Sequence, residues 1–231
     1  MVSPFALLLP TSCPACRRIG PAPCGSCSAR LVPPRPAPPP AGLDGAVTLF
    51  SYEGPGAELV RRLKYSNHRD ALVPLGRALA ALVPPGADAV TWVPTTAARR
   101  RSRSFDQARL IAGVVGRELG VPVPQLLFRV DDRAQTGRSR AERASGPVFR
   151  AGSAPVGVVI VDDVRTTGAS LSSAAAALRG AGARVVVGAT LAATPLGAVG
   201  ALPIRPSTPY DRSDEPEQPV RGNGGRPCRS T

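Results

Sequence analysis

A chain of 231 residues with 43% hydrophobic content is long enough for one α/β domain with appendages, and too short for several large ones. Aromatics are only 4%, so aliphatic packing dominates the core, and their scarcity counts against stacking on nucleobases as a binding device. The formal charge of +13 points to anionic partners, yet Lys64 is the one lysine among 29 basic residues, an arginine bias that fits GC-rich coding as well as phosphate recognition.

From the N-terminus, the apolar run Phe5 to Leu9 lacks a basic flank and is too short to span a bilayer, so no signal or anchor is predicted and a cytoplasmic location is expected. Pro10, Thr11 and Ser12 fit a lipoprotein processing site at Cys13 poorly. Cys13-x-x-Cys16 and Cys24-x-x-Cys27 are two knuckles whose four thiolates can converge tetrahedrally on zinc. Two disulfides or a redox dithiol are the alternatives, disfavoured by a reducing compartment and by the second knuckle so close by. Cys228 is expected to be a free thiol without a role. Residues 31–45 form a proline-rich, semi-rigid linker that either holds the cysteine module away from the main domain or docks it there.

AVTLFSYEG (46–54) alternates as a strand and ends in a turn at Gly54-Pro55-Gly56. Helices are predicted over about 57–65, with Leu59, Val60 and Leu63 on one side and Arg61 and Arg62 on the other, and over about 72–82. A strand at 89–93, an arginine-rich loop with Arg99, Arg100, Arg101 and Arg103, and a helix at about 105–119 follow. That loop would lie at the C-terminal end of a parallel strand, where open α/β sheets bind ligands. Another strand is expected near 121–127. A long polar excursion then carries Arg133, Arg138, Arg140 and Arg143, and such segments can close over substrates.

The most informative stretch is VVIVDDVRTTGASL, 158–171. Val158 to Val161 read as a strand buried on both faces, followed by Asp162 and Asp163, then Thr166-Thr167-Gly168 and an alanine-rich helix. Unpaired N–H groups at a helix start and the helix dipole favour a phosphate there, with threonine hydroxyls and a glycine allowing close approach. Side chains alternate along a strand, so the two carboxylates cannot share one job: one is expected to reach ribose hydroxyls, the other a metal or a structural partner. The physical reading is a ribose 5-phosphate site. A second buried strand is predicted over 184–191, and the tail beyond Leu202 is expected to be disordered.

The run VVIVDDVRTTGAS resembles the phosphoribosyl-diphosphate signature of type I phosphoribosyltransferases. Together with CxxC…CxxC, YEG, LKY, VPT, RSFDQA and AQTGRSRAER in that order, it is similar to the ComF family, also described as GntX-like. The resemblance covers about residues 5–195. It implies a type I phosphoribosyltransferase fold: a mostly parallel α/β sheet flanked by helices, with a small zinc module held by four cysteines. The chain divides accordingly into that module (1–30), the linker (31–45), the phosphoribosyltransferase-like domain (46–200) and the tail (201–231).

By position, the resemblance gives Asp162 and Asp163 the ribose or Mg²⁺, and Val164, Arg165, Thr166, Thr167, Gly168, Ala169 and Ser170 the 5′-phosphate. Thr95, Thr96, Arg99 and Arg103 become the diphosphate loop, and Cys13, Cys16, Cys24 and Cys27 the zinc ligands. The family's RGFNQ element is here Arg103-Ser104-Phe105-Asp106-Gln107, which loses a glycine and replaces asparagine by a charged aspartate. The segment after Arg143 is also shorter than the family pattern and lacks its asparagine.

Three functions follow as expectations: transfer of a phosphoribosyl group from phosphoribosyl diphosphate with Mg²⁺, sensing of that ligand without catalysis, or single-stranded DNA binding in natural competence beside a partner of that machinery. No acceptor site, glutaminase domain or N-terminal cysteine nucleophile is discernible.

Overall fold

The computed structural model describes residues 11–65, 69–96, 105–130 and 147–195. Its centre is a four-stranded parallel sheet, ordered β1-β6-β5-β2, built from β1 (Gly45–Ser51), β2 (Ala89–Trp92), β5 (Gly157–Arg165) and β6 (Val185–Ala193). A second sheet pairs β3 (Leu127–Arg129) antiparallel with β4 (Phe149–Ala151). The helices are a four-residue turn α1 (Gly25–Ser28), α2 (Gly54–Tyr65), α3 (Leu72–Ala80), α4 (Gln107–Leu119) and α5 (Ala169–Gly180). This is the expected parallel α/β architecture. Among the described residues no helix is long and apolar enough to cross a membrane.

Alternation along β5 separates two apolar layers. Val159 and Val161 join α2, α3 and α4 through Val60, Leu63, Leu75, Leu79, Ile111 and Val115. Val158 and Ile160 face the other way, onto Leu171, Ala174 and Leu178 of α5 and onto Leu127 and Phe149 of the small sheet. A strand covered on both faces must be apolar on both, which is why this run carries no polar residue before Asp162.

Three boundaries differ from the sequence reading. Gly54-Pro55-Gly56 is the first turn of α2, not a turn before it: proline is pre-set for a helix start, where its missing N–H is not needed, and Gly56 lies where a Cβ would meet Phe50 at 2.8 Å. Residues 121–126 form no strand, because Pro122 and Pro124 cannot donate to a ladder; the segment is held against β2 by Val90 N–H to the Pro122 carbonyl (3.0 Å) and Leu126 N–H to Thr91 Oγ1 (3.3 Å). Third, β5 does not stop at Val161 but runs on through both acidic residues to Arg165, because β6 pairs with it as far as Ala193. The other predicted elements match within a few residues.

The proline-rich segment is docked rather than a spacer. Leu31 packs on the layer around Val60, and the Val32 carbonyl accepts the Ser51 N–H at 2.7 Å. At the other end Leu43 is buried in the layer around Ile160, and the Gly42 carbonyl accepts from Arg179 Nε at 2.8 Å. The Asp44 carboxylate takes the Val186 N–H and the Arg179 guanidinium, both at 2.7 Å, and these two donors hold it below the usual carboxylate range.

Candidate functional site

All four parallel strands end on one edge, and Thr95, Thr96, Asp162, Asp163 and the turn at Thr166 to Gly168 follow the strand ends there. Asp162 and Asp163 lie near the end of β5, on opposite faces. Asp163 points to the α2 side, where its Oδ2 meets Lys64 Nζ at 2.9 Å, both side chains largely shielded. Asp162 points the other way and accepts the Asp163 N–H on Oδ1 at 2.8 Å. Part of Asp162 reaches solvent, but its carboxyl lies deep among protein atoms. Burial, and then the neighbouring Asp163 charge, push its pKa up to about 8, with the Asp163 N–H and Lys64 pulling the other way. Asp162 is therefore the carboxyl that resists ionisation near neutral pH.

Thr166 and Thr167 are exposed in the turn that follows, and Gly168 caps α5 with φ +83°, a left-handed conformation that suits glycine. Thr167 Oγ1 accepts the Ala169 N–H at 3.3 Å, and Ala169 and Ser170 form the first helical turn. Arg165 is the last residue of β5 and lines the cleft beside this turn. Val164, expected in the loop, sits in the strand opposite Ala192 and packs against the α2–α4 layer. The extra strand length comes from β6, which no local pattern near Val164 reveals.

Thr95 and Thr96 follow β2 on the same edge. Thr95 donates its N–H to Asp106 Oδ2 (3.3 Å), a bond that ties the two ends of the arginine-rich loop, and the Asp106 charge also acts on Asp162. Arg99 and Arg103 lie outside the described residues, as do the excursion arginines Arg133, Arg138, Arg140 and Arg143 and the tail.

A cleft of about 250 Å³ opens beside the turn, lined by Arg165, Thr166 and Thr167, by Thr194 past β6, and by Arg35 and Pro38 to Pro40 of the docked segment. Three participants were missing from the sequence reading. Lys64 is far away in sequence, though its being the only lysine was a signal. Arg35 was hidden inside a segment read as linker, and Thr194 past the end of a strand read as stopping at Leu191.

The four cysteines form a separate cluster. Their Sγ atoms all lie within 4.8 Å of one another, with Cys16 and Cys24 at 3.6 Å, and all four thiols are free. Zn–S bonds of about 2.3 Å in a tetrahedron put sulfurs about 3.8 Å apart, so this donor set fits a zinc ion. Burial works against the Cys13 thiolate, but the backbone N–H groups of Cys24, Cys16 and Ala15 outweigh it and bring the pKa down to about 6. Burial and the neighbouring sulfurs push Cys27 up to about 12, and a cation among the four sulfurs would favour its thiolate.

No family model matches the chain, and no curated protein matches it in sequence. Among solved structures, it is similar to the allosteric regulatory enzyme of purine biosynthesis at 23% identity and TM-score 0.41, over 57% of this chain but only 30% of that enzyme's length. It is similar to a purine phosphoribosyltransferase from Pyrococcus horikoshii at 20% identity and TM-score 0.32, over 67% of this chain and 82% of that one. A third similar structure is TT1426 from Thermus thermophilus, at 21% identity and TM-score 0.34, over 58% of this chain and 85% of the other.

Proposed function

We propose that the protein binds phosphoribosyl diphosphate and belongs to the ComF type of phosphoribosyltransferase-like proteins. The observation that carries this reading is the end of β5: an acidic pair followed at once by Thr166-Thr167-Gly168 at the start of α5, on the ligand-binding edge of a parallel sheet. The exposed threonines and the first N–H groups of α5 suit a 5′-phosphate. Asp162, on the face away from Lys64, suits ribose hydroxyls or Mg²⁺, an ion that takes one or two carboxylates together with substrate phosphates. When bound, Mg²⁺ would neutralise diphosphate oxygens. The chain's own part is to hold the ribose by its phosphate and to keep the acid pair oriented while the C1–oxygen bond breaks, diphosphate leaves and an acceptor bonds to C1. The resemblance adds a role in DNA uptake.

Titration calorimetry with phosphoribosyl diphosphate and Mg²⁺ tests the site. The double variant Thr166→Ala/Thr167→Ala removes exposed hydroxyls, so it should fold normally and lose roughly tenfold or more in affinity. An unchanged affinity would remove this site from the reading. Assay of diphosphate release with bases, amines and DNA as acceptors then separates transfer from sensing.

A further inference from the structure

The cleft beside the Thr166-Thr167 turn is bounded by a segment that sequence patterning assigns to a linker. Arg35 and Arg165 both line it, one from the proline-rich segment and one from the end of β5. Neither guanidinium has an acidic partner among the described residues. Two cations with no acidic partner among the described residues, around a cleft that also offers three threonines, make a place for an anion.

The wall is built, not draped. It is pinned before Arg35 by Leu31 and Val32 and after Pro40 by Leu43 and Asp44. Between these anchors Pro40 sits so close to Gly168 that a Cβ there would lie 2.7 Å from Pro40 Cγ. Consecutive prolines keep the segment extended at little entropic cost. A volume of about 250 Å³ is below the usual 300–1,000 Å³ (roughly) of drug-sized pockets, so it suits a phosphate with its attached sugar rather than a whole nucleotide.

We propose that the proline-rich segment is a wall of the anion site and that Arg35, with Arg165, binds the phosphate of a phosphomonoester there. This rests on the phosphoribosyl reading and extends its site to a residue outside the strand–turn–helix unit.

The test is calorimetric titration of the zinc-loaded full chain with ribose 5-phosphate. Arg35→Ala should weaken binding by about tenfold or more, the size of a lost charge-assisted bond. Arg35→Lys should recover only part of it, since an ammonium lacks the two-pronged fork. Because Arg35 is exposed, the melting temperature of Arg35→Ala should match that of the wild type. Arg117→Ala, an exposed arginine at the far end of α4, should bind as the wild type does. If Arg35→Ala binds normally while Thr166→Ala/Thr167→Ala does not, the wall inference fails and the phosphoribosyl reading stands. If Arg117→Ala is weakened as much as Arg35→Ala, net charge explains the effect and the inference also fails. A wild-type chain that does not bind ribose 5-phosphate overturns both.

Discussion

At the scale of single residues, the informative contact is the one between Lys64 and Asp163. The chain uses arginine nearly everywhere, yet at this position it holds a lysine whose compact ammonium meets one carboxylate oxygen at 2.9 Å. With Asp163 engaged on that side, Asp162 becomes the group that resists ionisation. Its folded pKa of about 8 stands above the ordinary carboxylate value of 3.8. Between those two pH values the unfolded chain has released this proton and the native chain still holds it, so stability falls as pH rises through the window and levels off above it. Asp162→Asn removes that slope. Urea unfolding of both proteins from pH 4 to 9, without divalent cations, should show the stability of wild type relative to the variant falling with pH by up to about 1.4 kcal/mol per unit. Parallel curves would mean that Asp162 is ionised throughout. That the two carboxylates face opposite ways was legible from strand alternation alone. The identity of Asp163's partner was not, because α2 and β5 meet only in the folded sheet.

At the scale of elements, local chemistry predicted well wherever one segment decides its own state, and less well where a neighbour decides. The alanine-rich run of α5 and the β-branched run of β5 were both legible. The end of β5 was not, because pairing with β6 extends it past the acidic residues, and 121–126 read as a strand although its prolines deny it a ladder. Gly168 belongs to both classes. Its need for positive φ follows from the turn before α5, but its contact with Pro40 depends on where the proline-rich segment lies. A side chain there suffers twice, from the left-handed backbone and from a Cβ 2.7 Å from Pro40 Cγ, a rigid ring that cannot rotate away. Gly168→Ala should therefore cost about 1–3 kcal/mol in urea unfolding. A loss under about 0.5 kcal/mol, the range of an indifferent surface change, would mean that the segment yields freely and is no fixed wall.

At the scale of the whole molecule, the cysteine module and the sheet share a core rather than a tether. Ala22, between the two knuckles, is buried in the same apolar layer as Val60, Leu63 and Ile111, and Leu31 joins it directly after α1. The chain then passes without a break into the wall carrying Arg35. An ion among the four close thiols would hold Ala22 and α1 in place, whereas without one the sulfurs are left to mutual repulsion or protonation, with Cys27 pushed up to about 12. Loss of the ion should therefore reach beyond the module. Treating the zinc-loaded chain with a chelator under reducing conditions should lower the melting temperature of the sheet by about 4 °C or more, the shift that ~1–2 kcal/mol produces in a protein of this size. It should also weaken ribose 5-phosphate binding, because the anchor before Arg35 loosens, and added Zn²⁺ should restore both. An equal melting temperature and equal affinity with and without metal would show that the four cysteines hold only themselves, and that the segment's anchors at Leu43 and Asp44 suffice to keep the wall in place.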